Sequence, residues 1–376
     1  MANTLIIFGM LVVLMAIGMP VGVALGLTVL TFMFAFTAVP LESVALKMFT
    51  GIEKFEIMAI PFFILAGNFL THGGVARRMI NFATSMVGHL RGGLGMSAVL
   101  ACALFAAVSG SSPATVVAIG SILIPAMIKQ GFPLRFSAGV VASAGGLGIL
   151  IPPSIVMVMY AVTTNSSVGA LFMAGVVPGV LLALMLGLTT WYVARKNGYP
   201  TLPRASWGER WRNFRSAFWG LMLIVVVMGG IYSGMFTPTE AAAMSAVYAF
   251  FIAVFVYKDL SFKQIPKVLL DSANMSAMLL FIIASAVLFS FILTSEQIPQ
   301  RMADAIVASG LGPVGFLIVV NLLLLVAGAL MEPSSIILIL APILFPVAVA
   351  LGIDRIHFGV MITVNMEIGM ITPPVG

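Results

Sequence analysis

The chain has 376 residues, 61% of them hydrophobic and 8% charged, with a formal net charge of +6. A soluble globular protein is about a quarter charged, so a water-soluble domain and a disordered chain are both excluded. The length allows on the order of ten to twelve helical spans, and continuous apolar runs exclude a β-barrel, whose strands would alternate polar and apolar.

The N-terminal run has no basic region ahead of its apolar stretch. It reads as a first span and not a cleaved signal peptide. Residues 4–19 and 21–39 form two spans joined at Gly18-Met19-Pro20, and 57–75 form another. Residues 93–128 are apolar but interrupted by Ser109-Gly110-Ser111-Ser112-Pro113. Residues 136–165 are interrupted from Gly145-Gly146 to Pro152-Pro153, and 168–193 are a clean span. The one long polar stretch, 195–215, reads as a linker. Spans follow at 216–236, 239–257 and 272–294. Residues 311–350 are broken at Glu332-Pro333-Ser334-Ser335, and 358–376 run into Thr372-Pro373-Pro374. The single cysteine, Cys102, lies in an apolar run and reads as a packing residue, so no disulfide within the chain is available.

Lys and Arg collect on the cytoplasmic side of membrane proteins. The 195–215 stretch carries six basic residues against Glu209, which places it in the cytoplasm. Counting spans outward adds 77–91, 129–135 and 258–271 to that side, for a total of +11. The opposite side receives 42–56, Glu240, 296–304 and 354–355, for a total of −3. Glu332 and Glu367 remain in the membrane. The N-terminus is then periplasmic, and 93–128 and 311–350 must each enter and leave on one side, as re-entrant hairpins. Topology accounts for the basic balance, and no nucleic-acid partner is expected.

Two segments repeat at an offset of 221. It pairs Pro125 with Pro346, Gly131 with Gly352, Gly148 with Gly369 and Pro152-Pro153 with Pro373-Pro374. It also pairs the tip Ser111-Ser112-Pro113 with Glu332-Pro333-Ser334. Pro20 pairs with Pro238 and Arg78 with Arg301 at nearly the same offset. The paired segments fall on opposite sides of the membrane. Inverted repeats with broken helices are the architecture of secondary transporters, whose sites lie near the midplane. The expected fold is therefore an all-α polytopic membrane protein, an inverted-repeat secondary transporter with two re-entrant hairpins and two broken helices. Exposed carbonyls in the bilayer core need a partner. A cation accepts the carbonyls and an anion accepts helix N-terminal amides. Four breaks in two pairs predict one cation site per pair, with an anion between them.

The Ser109–Thr115 tip offers hydroxyls and bare backbone, for which small-residue packing is the competing reading. Pro152 and Pro153 supply no amide donors, so the helix must break there. Glu332 is an ionisable residue in a membrane segment and a functional candidate on that ground. It could coordinate a cation, carry a proton or hydrogen-bond a substrate. Glu367, beside Asn365 in the second unwound stretch, could instead pair with a neighbouring helix. The three histidines, His72, His89 and His357, read as interfacial, and no metal-protease, nucleophile-elbow or phosphate-loop pattern occurs. An enzyme is not expected.

Together, six stretches resemble the large membrane subunit of tripartite ATP-independent periplasmic transporters. They are Ala59-Ile-Pro-Phe-Phe-Ile-Leu-Ala-Gly67, Gly88-His-Leu-Arg-Gly-Gly-Leu94, Phe105-Ala-Ala-Val-Ser-Gly-Ser-Ser-Pro-Ala-Thr115, Gly148-Ile-Leu-Ile-Pro-Pro-Ser154, Phe236-Thr-Pro-Thr-Glu-Ala-Ala-Ala243 and Thr372-Pro-Pro-Val-Gly376. The resemblance covers essentially the whole chain. It implies an elevator-type, Na+-coupled importer of organic acids in a bacterial or archaeal inner membrane. A soluble periplasmic binding protein delivers the substrate, and a separate small membrane subunit packs against the large one. No other cofactor is implied.

The family's two Na+ sites map here onto Ser109, Ser111, Ser112, Pro113, Gly145, Gly146 and Ile149, and onto Met331, Glu332, Pro333, Ser334, Asn365, Gly369 and Thr372. Its substrate contacts map onto Ser109, Ser111, Ser154 and Glu332, where the family carries Asp. The expected organisation is a first repeat at 1–194, the basic linker at 195–215 and a second repeat at 216–376. A scaffold is drawn from 1–75 and 216–295, and a moving portion from 76–194 and 296–376. The chain stops where the family continues with the rest of the broken helix and a final span, so it is either truncated there or departs from the family at its C-terminus. The alternatives are a stand-alone anion–Na+ symporter that needs no binding protein and a scaffold or channel subunit without coupled transport.

Overall fold

The structure is a computed structural model that describes residues 2–37, 40, 42–308 and 312–373. The span end expected at 38–39, the hairpin start at 311 and residues 374–376 with Pro374 lie outside the described residues. The described chain is helical, with no strand. The helices are α1 (Ala2–Ala16), α2 (Val21–Phe36), α3 (Glu42–Ile52), α4 (Ala59–His72), α5 (Val75–Val87), α6 (Gly93–Ser109), α7 (Ser112–Lys129), α8 (Leu134–Gly145), α9 (Leu147–Leu150) and α10 (Ile155–Thr164). They continue as α11 (Val168–Lys196), α12 (Trp207–Tyr232), α13 (Pro238–Phe251), α14 (Ile265–Ser295), α15 (Ile298–Ala308), α16 (Pro313–Leu330), α17 (Pro333–Ala350) and α18 (Arg355–Met370). A 3-10 turn at Phe55–Met58 leads into α4, and a π-helical turn at Ile252–Val256 extends α13.

Among the described residues, 8 helical stretches are long and apolar enough to cross a bilayer. Their outward faces are apolar as well. On α11, Met173, Val177, Val180, Leu184, Leu188 and Tyr192 are all exposed at helical spacing. A stripe of that kind has no solvent but lipid.

Both hairpins form where the interruptions lie. The helices α7 and α17 each have 18 residues, and both of their ends are 221 positions apart. The first residues of α8 and α18 are also 221 apart. The correspondence read from prolines and glycines therefore extends to helix boundaries. Local chemistry sets several of these. The Thr237-Pro-Thr-Glu240 stretch is a capping box, with Thr237 Oγ1 accepting from the Glu240 amide and the Glu240 carboxylate accepting from the Thr237 amide. Ser206 caps α12 in a similar way.

Two expectations need correction. The linker at 195–215 is shorter, because 207–215 already belong to α12. Segments 42–56, 77–91 and 296–304, assigned above by charge alone, carry most of the helices α3, α5 and α15. They are amphipathic: α5 buries Val75, Ala76, Met79, Ile80 and Ala83 and turns Arg77 and Asn81 outward. The second unwound stretch is helical from 365 to 370. The first repeat breaks at Gly145-Gly146 with Gly148 following, whereas the second has Met366-Glu367-Ile368 ahead of Gly369. Each helical Gly costs about 1 kcal/mol relative to Ala, so the second stretch keeps its helix. Helix α5 packs on α12 through Val75 against Gly220 and Phe82 against Phe214, and it also packs on α6.

Contacts divide the chain into two compact units. One comprises Met1–Ile57, Val158–Ser167 and Asn274–Gly376, and the other Met58–Met157 and Val168–Ala273. In the first unit, Asn3 Nδ2 donates to Glu296 Oε2 at 2.8 Å, and Lys54 Nζ donates to Asn165 Oδ1 at 2.6 Å. Burial lowers the pKa of Lys54, with Glu56 opposing the shift. In the second unit, Arg78 pairs with Asp259 and stacks on Tyr257, and the Leu202 amide donates to the Gly88 carbonyl at 3.0 Å. Each contact joins segments that the charge count put on one side.

Candidate functional site

The first-repeat tip lies in the second unit. α6 ends at Ser109, and Gly110 turns the chain with φ +65, a conformation that favours glycine. Ser111 is the N-cap of α7, yet its side chain makes no capping bond. The α7 N-terminus therefore keeps unsatisfied amides and the positive end of its dipole. Around it sits a buried hydroxyl set. Ser109 Oγ and Thr115 Oγ1 are 2.8 Å apart, and Thr115 Oγ1 donates to the Ser111 carbonyl at 2.9 Å. Ser112 Oγ donates to the Gly146 carbonyl at 3.0 Å, tying the tip to the break between α8 and α9. Ser154 Oγ donates to the Ile149 carbonyl at 2.5 Å, and the Ile155 amide donates to the Gly110 carbonyl at 3.2 Å.

Close backbone approach explains the glycines. A methyl group on Gly148 would lie 2.6 Å from the Ser111 carbonyl oxygen and 2.7 Å from the Ser112 amide nitrogen. One on Gly145 would collide with Val116, and one on Gly67 would press on the Ser109 carbonyl at 3.3 Å. Ser109, Ser111, Ser112, Pro113, Gly145, Gly146, Ile149 and Ser154 are thus brought together. They present uncharged oxygens only, a donor set suited to a hard cation.

The second-repeat tip lies in the first unit and is built differently. α16 ends ahead of an extended Met331, and Glu332 is the N-cap of α17. Its carboxylate accepts from Ser334 Oγ at 2.6 Å and from the Ser335 amide at 3.3 Å. This helix N-terminus is therefore neutralised by a carboxylate of its own chain. Glu332 is exposed, while Pro333 and Ser334 are buried. α18 packs on α16 with Gly369 against Gly328, where a methyl group on Gly369 would lie 2.7 Å from the Gly328 Cα. One turn away, Asn365 Nδ2 donates to Asn321 Oδ1 at 2.7 Å and to the Asn321 carbonyl at 3.0 Å.

Met331, Glu332, Pro333 and Ser334 form this tip, and Asn365 and Gly369 face α16 behind it. Thr372 is exposed and donates to the Ile368 carbonyl at 2.7 Å. The buried Asn365 Oδ1 and both Glu367 carboxylate oxygens have no hydrogen-bond partner among the described residues. A buried acceptor without a donor fits a cation. Asn321 was not among the expected residues. Its signal was present, as a lone amide within the apolar run Leu317-Ile-Val-Val-Asn-Leu-Leu-Leu-Leu325. No cluster of three or more His, Cys, Asp or Glu that could hold a metal ion exists among the described residues.

Comparison with known proteins agrees with this architecture. The family model described as "Tripartite ATP-independent periplasmic transporter, DctM component" matches residues 8–376. The chain is 68% identical over 388 residues to the C4-dicarboxylate TRAP transporter large permease protein DctM of Rhodobacter capsulatus, covering 100% of this chain and 88% of that protein. It is 57% identical over 353 residues to the protein of the same description from Pseudomonas aeruginosa, covering 94% and 83%. Among solved structures, the YdaH transporter of Alcanivorax borkumensis superposes with a TM-score of 0.59 at 16% identity, over 90% of this chain and 80% of that one, a likeness of fold. The chain therefore belongs to the tripartite ATP-independent periplasmic transporter family as its large membrane subunit, a transport component and not an enzyme.

Proposed function

We propose that this subunit imports a C4-dicarboxylate, driven by Na+ and delivered by a periplasmic binding protein, with a small membrane subunit beside it. The observation that carries the reading is the uncapped N-terminus of α7 within a ring of uncharged oxygens. A substrate carboxylate accepts the free amides of the first turn of α7 and is favoured by the helix dipole. Ser111, whose side chain makes no hydrogen bond among the described residues, supplies a further donor. Na+ beside the Ser111, Gly146 and Ile149 carbonyls offsets the substrate's charge, so ion and anion stabilise each other there. The second Na+ takes Asn365 Oδ1 and backbone carbonyls near Met331. Glu332 holds the second tip in shape as the cap of α17. The names of the relatives at 68% and 57% identity support the choice of substrate class.

In this reading the 76–194 and 296–376 portions move as an elevator against 1–75 and 216–295. The basic loop before α12 faces the cytoplasm and the N-terminus faces the periplasm. The test is reconstitution of the large and small subunits in proteoliposomes with the cognate binding protein and labelled succinate. Uptake is expected only with an inward Na+ gradient and only with the binding protein present. Uptake without the binding protein would favour a stand-alone symporter, and uptake indifferent to Na+ would overturn the coupling.

A further inference from the structure

An apolar groove runs along α11 in the second unit. It has a volume of about 590 Å³ and is lined by Val99, Ala103, Ile151, Val180, Leu184 and Trp191, among others. From Val180 to Trp191 it follows about 16 Å of helix. Its far end reaches Ile151, the residue after α9 and before the Pro152-Pro153 break. Its near end is basic. The Arg195 guanidinium lies 5.4 Å from the centre of the Trp191 ring, at the groove mouth. Gly92 abuts Ala194 there, where a methyl group would collide with the Ala194 side chain, so Arg91 and Arg195 flank one contact. Arg91, Arg195 and Lys196 are all exposed. No acidic residue lines the groove.

An apolar groove that follows about 16 Å of helix, with arginines and a tryptophan at one mouth, matches one chemistry. We propose that the groove binds an anionic phospholipid, with an acyl chain along α11 and its phosphate between Arg91 and Arg195. Arginine pairs with phosphate through its planar fork. The tail ends against Ile151, so the lipid braces the broken helix just ahead of Pro152-Pro153.

Trp191 reports occupancy. In the full chain with Trp207, Trp211 and Trp219 replaced by Phe, its fluorescence is read in nanodiscs doped with brominated phosphatidylglycerol or brominated phosphatidylcholine. Two arginines near the phosphate, at about 1 kcal/mol each, give an expected preference of roughly thirty-fold, so phosphatidylglycerol quenches at about a thirtieth of the mole fraction that phosphatidylcholine needs. Arg91→Gln with Arg195→Gln removes the preference, and the Lys pair at both positions keeps most of it. Ala183→Phe, which fills the groove, lowers quenching by both lipids. Native mass spectrometry of the same variants reads retained lipid independently of the fluorophore. Equal quenching by the two lipids in the parent chain overturns the proposal. So does loss of all quenching when the small membrane subunit is added, which assigns the groove to that protein.

Discussion

The two repeats share a backbone plan and differ in how they treat charge. At the first tip, α7 starts on Ser111 with no side-chain cap, and the surrounding oxygens belong to hydroxyls and carbonyls. At the second tip, the equivalent position is Glu332, whose carboxylate caps α17 through Ser334 and Ser335. One helix N-terminus has no side-chain cap and the other carries an internal carboxylate. The helices behind the tips differ in the same sense. Ala144 and Gly146 of the first repeat correspond to Asn365 and Glu367 of the second, and Leu100 to Asn321. Related backbones can thus hold different ligands, because the amides and carbonyls exposed at a break are common to both and the side chains decide which of them stay free.

The comparison can be broken at the point of closest approach. Gly148→Val drives a side chain into the Ser111 carbonyl and the Ser112 amide, which are backbone and cannot yield. We expect loss of uptake together with loss of monodisperse protein in size-exclusion chromatography. Gly139→Val on α8, where nothing lies within 4 Å, should leave both intact. The next effect tests the polar cluster peculiar to the second repeat. Asn321→Leu, the residue at the matching place in the first repeat, removes the side-chain acceptor of the buried Asn365 amide and leaves it only the backbone carbonyl of residue 321. It should destabilise the protein by about 1 kcal/mol in a denaturation series in detergent, the net worth of one hydrogen bond. The smallest effect is at the first break. Ser112→Ala removes the hydroxyl bond to Gly146, whose carbonyl still accepts from the Ile149 amide. A change of about 0.6 kcal/mol is expected, typical of hydrogen bonds between membrane helices.

Much of this was legible from the residues. The interruptions at Ser109–Pro113 and Glu332–Ser335 mark the hairpin tips because Pro and polar residues in an apolar run break the helix there, and the offset of 221 pairs the two breaks. The offset of 221 carried helix boundaries as well as motifs. What escaped had weaker signals. Helices α3, α5 and α15 are short and half polar, so a reading based on apolar runs passes over them, although Val75, Ala76, Met79, Ile80 and Ala83 follow helical spacing. The break expected at 365–372 assumed that repeats share secondary structure. One glycine in place of three was enough to keep α18 helical. The partnership of Asn321 with Asn365 spans 44 residues and becomes visible only when α16 and α18 are packed together. That Glu332 caps its own helix depends on a rotamer, which spacing does not specify.

The measurement closest to the central claim is Na+-driven succinate uptake in proteoliposomes containing both membrane subunits and the binding protein, comparing the parent chain with Ser111→Ala and Glu332→Gln. The first removes a donor at the open helix end, and the second removes the internal anion at the closed one. The account predicts that each abolishes uptake while the protein remains folded. Uptake at the parent rate in both variants would contradict it.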